Sequence, residues 1–185
     1  MMGQSRPGRL IAIVGPSGVG KDSLIHGARD LLPKVHFMRR LITRPADAGG
    51  EDHQAVTQLE FAESRDSGKL LFDWQAHGLS YGISIDASRL CLQGHAVAFN
   101  GSRHALAKQR RDWPELKIIW VTASHATRAD RLAVRGRETR DEIIERLSTD
   151  NLVIPADAVL VENDGTMQEG IQHMVKAISS LLSDH

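Results

Sequence analysis

The sequence predicts a three-layer α/β fold with a parallel sheet, on three observations. Short apolar runs rich in β-branched residues, such as 10–14, 96–99 and 117–121, alternate with stretches whose apolar residues recur at helical spacing. The first run passes straight into a glycine-rich turn and then into a helix. A polar, aperiodic stretch interrupts the alternation, as a small inserted region between about residues 34 and 83 would. The 185 residues suit a single domain, 1–185, with core enough to fold without disulfides or a structural metal.

Taken in order, Leu10-Ile11-Ala12-Ile13-Val14 reads as a fully buried parallel strand. Leu24, Ile25, Ala28, Leu31 and Leu32 then mark a helix that Pro33 stops. Val35 to Leu41 reads as a second strand, followed by a long functional loop through Thr43-Arg44-Pro45 and Gly49-Gly50-Glu51-Asp52-His53. Thr57-Gln58-Leu59-Glu60 is a capping box that opens a short helix to about Ser67. Residues 70–76 and 79–83 read as strands around a turn at His77-Gly78. A helix from about Asp86 to Gln93, the strand 96–99, a helix His104 to Arg111 and the strand 117–121 continue the alternation. Ser124 caps a helix to Val134 on which Arg128, Arg131 and Arg135 share one face, and Gly136 breaks it. A helix over 141–150 carries Arg146; a last strand, 158–161, leads through Asn163-Asp164-Gly165 to a helix begun by the capping box Thr166 to Glu169. In such sheets ligands lie beyond the carboxyl ends of the strands, so the loops after Val14, Leu41, Phe99 and Val121 are expected to converge there.

The turn after Val14 carries the chemistry. Gly15-Pro16-Ser17-Gly18-Val19-Gly20-Lys21 has the glycine and lysine spacing of a P-loop, set between a strand and a helix. The glycines let successive N–H groups face a polyphosphate, and the helix adds its positive N-terminal end. Lys21 would reach the β- and γ-phosphates, and the hydroxyl that normally follows it would hold Mg²⁺. Here Asp22 takes that position and Ser23 follows, so either is a candidate magnesium contact. Arg135 and Arg137, astride Gly136, suggest a mobile lid, whereas Arg128 is balanced between a solvated charge and a functional one.

Lys+Arg and Asp+Glu balance at 23 each, so no global charge draws the chain to nucleic acid or membrane. No apolar run approaches a membrane span and residues 1–9 lack the core of a signal peptide, so a soluble, cytoplasmic protein is expected. The one cysteine, Cys91, lies between Leu90 and Leu92 in a helical pattern and reads as a core residue. The nine histidines show no zinc-ligand spacing.

The glycine loop, Thr43-Arg44-Pro45, His77-Gly78 with Tyr81-Gly82, and Arg131-Leu132 with Arg135-Gly136-Arg137 occur in the order in which guanylate kinase and its relatives carry them, and the chain resembles that family over nearly its whole length. The resemblance implies a P-loop kinase fold whose inserted region binds a phosphate acceptor and whose residues 124–150 form an arginine-bearing lid over the triphosphate. Lys21, Arg131, Arg135, Arg137 and Arg146 match its cationic positions; Arg44 and Tyr81 match positions that hold the acceptor's phosphate. The acceptor half departs from a guanine binder: Asp73-Trp74-Gln75-Ala76-His77 lacks the glutamate that pairs with the base, and Ala98 to Arg103 replaces an acidic segment. With Lys21-Asp22-Ser23 and Gly50-Glu51-Asp52-His53, the chain is more similar to the ribose 1,5-bisphosphate phosphokinase branch, which makes 5-phosphoribosyl 1-diphosphate in phosphonate breakdown.

That resemblance implies ATP and Mg²⁺ as cofactors and a small sugar phosphate as partner. Two separated phosphates call for cations at two points: Arg44 with Tyr81 at one, and Arg103 with Arg40 or His53 at the other, Asn100 standing beside them. A homodimer stays open. So do a nucleoside monophosphate kinase with an altered base pocket and a non-catalytic interaction module, although the intact P-loop argues against the latter.

Overall fold

A computed structural model describes residues 8–47, 51–134, 143, 147 and 153–183. The chain divides into two compact units. One comprises Met1–Ala12 and Leu32–Lys117, the other Ile13–Leu31 and Ile118–His185.

In the first unit, β2 (Val35–Met38), β7 (Ala96–Asn100) and the start of β1 (Leu10–Val14) are neighbouring strands in that order, β2 and β7 running parallel with Val35 opposite Ala96. Every side chain of β1 is buried, as a strand covered on both faces requires. A second, four-stranded sheet has the order β4-β3-β6-β5, formed by β3 (Leu41–Ile42), β4 (Gln54–Ala55), β5 (Leu70–Ala76) and β6 (Leu79–Ser84). The single strand expected over 35–41 is therefore two: β2 ends at Met38, and Leu41 pairs with Gly82 in the other sheet. The loop after Leu41 accordingly leaves the second sheet and not the parallel one. The β5–β6 hairpin closes at His77 and Gly78, both at positive φ (50° and 72°), the pattern of a type I′ turn that matches strand twist. Helix α2 (Gln58–Asp66) starts at the predicted capping box: Glu60 N–H donates to Thr57 Oγ1 while Glu60 accepts from Thr57 N–H. Helices α3 (Asp86–Leu92) and α4 (Leu106–Asp112) complete the unit. Cys91 is buried in α3, and burial pushes its thiol up to about 11.

In the second unit, the end of β1, β8 (Lys117–Thr122) and β9 (Val159–Glu162) are successive strands, β8 and β9 running parallel with Val121 opposite Val161. Helix α1 (Lys21–Leu31) turns Leu24, Ile25 and Ala28 inward. Gly27 allows α1 to approach α6 (Met167–Ser183) closely, since a Cβ there would run into Ile171 Cδ1. Helix α5 (His125–Val134) starts at the predicted Ser124 cap, with Thr127 N–H donating to Ser124 Oγ. Leu132 packs with the helical residues Ile143 and Leu147.

Candidate active site

Three loops of the second unit follow the carboxyl ends of parallel strands. Gly15–Gly20 follows β1, Ser124 lies just beyond β8, and Asn163-Asp164 follows β9. Gly18 and Gly20 have φ of 83° and 87°, which side chains rarely adopt. Space excludes a side chain as well: a Cβ on Gly18 would stand 3.0 Å from Leu132 Cγ, and one on Gly20 would stand 2.7 Å from Asn163 Nδ2.

The loop is held from outside through its carbonyls. Arg128 Nε donates to Ser17 O at 3.0 Å. Asn163 Nδ2 donates to Val19 O at 2.7 Å, and Arg131 Nη1 donates to the same oxygen at 3.3 Å. A trans peptide is planar and its C=O and N–H point in opposite directions, so fixing Val19 O on Asn163 fixes the Gly20 N–H away from it. Lys21 Nζ donates to Gly15 O at 2.8 Å and Pro16 O at 3.1 Å, which holds the ammonium against the loop. Asp22, half-buried, and Ser23, exposed, stand in the first turn of α1. No group of three or more His, Cys, Asp or Glu placed to hold a metal occurs among the described residues.

Next to Asn163, the Asp164 carboxylate accepts from the Ser124 N–H at 2.8 Å and from Thr127 Oγ1 at 2.7 Å. The Thr127 hydroxyl first, and then the Ser124 backbone, hold its pKa below the ordinary carboxylate value. One turn thus grips both the glycine loop and the start of the helix that carries Arg128 and Arg131. Arg135, Arg137 and Arg146 lie outside the described residues.

The acceptor candidates cluster in the first unit. Arg40 presents its fork to Glu51, with Nε donating to Oε2 at 2.8 Å and Nη2 to Oε1, and both side chains are about nine-tenths buried. Asn100 Nδ2 reaches Glu51 Oε2 at 3.4 Å. Arg40 also lies over the ring of Tyr81, at 4.9 Å from the centroid, and Tyr81 stacks on Trp74 at 5.5 Å and 5°. Buried His53 lies between backbone and guanidinium: Nδ1 is 3.0 Å from Glu51 O and 3.3 Å from Arg44 Nη2, and Nε2 is 3.3 Å from Arg44 O. Arg44 Nε is buried and has no hydrogen-bond partner among the described residues. Arg103 is half-buried, its Nε 3.3 Å from His104 Nε2.

Sequence reading singles out the loop, Lys21 and Arg131, which the structure places beside one another, and Arg40, Arg44, His53, Tyr81 and Asn100, which it places in a separate cluster, with Arg103 beside His104. It does not single out Asn163, Asp164, Glu51 or Trp74, and it leaves Arg128 undecided although that side chain is 1% exposed. Asn163-Asp164 carried a usable signal, since a polar pair directly after a buried parallel strand stands in the same relation to the sheet as the glycine loop. Glu51 stood in the Gly50-Glu51-Asp52-His53 signature, but its pairing with Arg40 is set by tertiary folding and leaves no local signal.

A strand, a glycine loop gripped from outside and a helix, in a parallel sheet, define a nucleotide-binding P-loop kinase fold. Among solved structures, a guanylate kinase from Anaplasma phagocytophilum superposes with a TM-score of 0.69 at 15% identity, covering 97% of this chain and 89% of that one. A gluconokinase from Sinorhizobium meliloti gives 0.54 at 16% identity over 97% of this chain and 99% of its own. No protein-family model matches the chain. Curated relatives are far more similar in sequence. A ribose 1,5-bisphosphate phosphokinase PhnN of Rhizobium etli is 43% identical over 182 residues, covering 96% of this chain and 92% of the relative. Its counterpart in Agrobacterium fabrum is 43% identical over 165 residues, covering 86% and 90%. The chain belongs to the ribose 1,5-bisphosphate phosphokinase family. It also matches, at 41% identity, 29% of a bifunctional ribose 1,5-bisphosphokinase-thymidine phosphorylase of Cupriavidus pinatubonensis.

Proposed function

We propose that the chain transfers the γ-phosphoryl group of ATP to a phosphate oxygen of ribose 1,5-bisphosphate, yielding 5-phospho-α-D-ribose 1-diphosphate. The reading rests on the glycine loop, whose carbonyls are engaged from outside so that its N–H groups are left for a polyphosphate, in a chain of this family. The acceptor is a phosphate oxygen, ionised near neutral pH because its second pKa is about 6. No general base is needed, and catalysis consists of alignment and charge neutralisation.

Lys21 is the loop's own cation for the β- and γ-phosphates, exchanging its contacts with Gly15 O and Pro16 O for phosphate oxygens. Arg131 is placed beside the loop by its contact with Val19 O, and Arg135, Arg137 and Arg146 are assigned to the lid. Magnesium, when bound, neutralises charge on the ATP oxygens and keeps several waters, so it asks for only one or two protein oxygens. Asp22 and Ser23 stand where one is needed.

On the acceptor side, Arg44 offers a buried Nε–H that lacks an acceptor among the described residues, as a phosphate ligand would. Tyr81 adds its hydroxyl, and Asn100 with Arg103 serves the second phosphate. Arg40 and His53 act through their neighbours: Glu51 neutralises Arg40, and His53 orients Arg44. The enzyme is assigned to the cytoplasm, where ATP is available, and to the phosphonate breakdown that the resemblance implies. Among the described residues, no helix is long and apolar enough to cross a membrane.

The test is ³¹P NMR of purified protein with ATP, Mg²⁺ and ribose 1,5-bisphosphate. Loss of the C1 monophosphate resonance with growth of a new diphosphate pair, matched by ADP, is expected. ADP and inorganic phosphate alone would refute phosphoryl transfer to the sugar.

A further inference from the structure

A buried arginine needs a reason. Arg128 is 1% exposed, in the first turn of α5, where an aliphatic residue would pack without the cost of desolvating a guanidinium. Its Nε donates to Ser17 O at 3.0 Å, across 111 residues of sequence. The same turn of α5 is tight against the loop: Arg128 O would be 3.1 Å from a Cβ on Gly18, and Leu132 Cγ 3.0 Å.

Ser17 O belongs to the peptide whose nitrogen is that of Gly18. Because the trans peptide is planar and its two dipoles are antiparallel, an oxygen fixed on Arg128 turns the Gly18 N–H to the opposite side. Gly18 has φ of 83°. A glycine reaches φ of either sign at little cost, and its φ together with the Ser17 ψ sets this peptide plane, so something outside the loop must choose the peptide orientation. The neighbouring peptide, Val19-Gly20, is set by Asn163 and Arg131. Ser17-Gly18 has Arg128.

We infer that Arg128 is a positioning residue of the donor site: its Nε–H holds the Ser17-Gly18 peptide so that the Gly18 N–H faces the phosphates of the nucleotide. It touches neither substrate nor reacting atoms. The inference rests on the reading of this loop as the ATP site.

Two substitutions differ in the Nε donor. Arg128→Gln places an N–H donor at the position of Nε without the charge, and Arg128→Met places a methyl there. The readout is the ratio of ADP affinity to adenosine affinity, measured by calorimetry on folded protein, with the ATP and acceptor KM values followed separately. Arg128→Met is expected to lower that ratio about tenfold, the scale of one hydrogen bond, and to raise the KM for ATP but not that for the acceptor. Arg128→Gln is expected to restore most of the ratio. An unchanged ratio in Arg128→Met, or equal losses in both variants, overturns the inference. If Arg128→Met does not fold, the ¹⁵N–¹H resonance of Gly18 in the unaltered protein decides: it must move on adding ADP and stay on adding adenosine, and a resonance indifferent to ADP overturns the inference. Failure of the underlying reading looks different, because the unaltered protein would then bind no ADP at all.

Discussion

Asn163→Ala should weaken the protein and its nucleotide site together. The side chain is 1% exposed, and its Nδ2 gives Val19 O a 2.7 Å bond, leaving that oxygen otherwise with Arg131 at 3.3 Å. Depriving a buried acceptor of its main donor costs about 1–3 kcal/mol. Against this, Asn163 Oδ1 is buried with no hydrogen-bond partner among the described residues, so deleting it recovers part of that cost. A net loss of about 1–2 kcal/mol follows, which for a chain of this size lowers Tm by about 2–8 °C. With the Val19-Gly20 peptide no longer fixed, ADP affinity should fall about tenfold. Asn163→Asp keeps the shape but opposes a carboxylate to the Val19 oxygen, and an uncompensated buried charge costs about 3–5 kcal/mol. Differential scanning calorimetry and ADP titration at pH 8 measure both variants. An alanine variant with unaltered Tm and ADP affinity, or an aspartate variant as stable as the alanine one, would refute the reasoning.

Other consequences follow from the same geometry. Lys21→Ala should stay folded by circular dichroism and lose at least about a hundredfold in kcat, the scale for removing one charge-stabilising group; near-normal turnover would remove Lys21 from the mechanism. Asp22→Asn should raise the Mg²⁺ concentration at half-maximal rate, and an unaltered dependence would make Asp22 a favourable charge at the start of α1 instead. Asp164 titrates below the ordinary carboxylate value because of Thr127 and Ser124, so its stabilisation is complete above the unfolded value of about 3.9 and is lost as pH falls through the lower folded value. The gap in urea midpoint between the unaltered protein and Asp164→Asn should therefore be widest at neutral pH and close below about pH 4; a gap independent of pH would count against the carboxylate.

Much of the fold was legible because its signals are local. The run Leu10–Val14 is buried throughout, and the capping boxes at Thr57 and Thr166 open helices where the side-chain pattern places them. The break between Met38 and Leu41 was not legible: Val35 to Leu41 has no glycine or proline, and only pairing with β7 on one side and β6 on the other separates the strands. The candidate site divides in the same way. The glycine loop and Lys21 are contiguous, so spacing reveals them. Arg128 and Asn163 act across 111 and 144 residues, and nothing in an arginine's local sequence says whether it meets water or a carbonyl oxygen. Arg40 shows the converse. Its charge invites a phosphate, yet Glu51 takes its fork through a contact between residues 11 apart on irregular chain.

The central claim, a sugar bisphosphate kinase built on a guanylate-kinase-like fold, is tested most directly by its acceptor preference. A coupled ADP-release assay with purified protein, ATP and Mg²⁺ should compare ribose 1,5-bisphosphate with GMP, AMP and dGMP. A kcat/KM at least about a hundredfold higher for the bisphosphate is expected, since residues 73–77 lack the glutamate that the resemblance pairs with the base, and a nucleobase edge would leave polar groups unpaired. Efficient phosphorylation of GMP with no turnover of the bisphosphate would contradict the account.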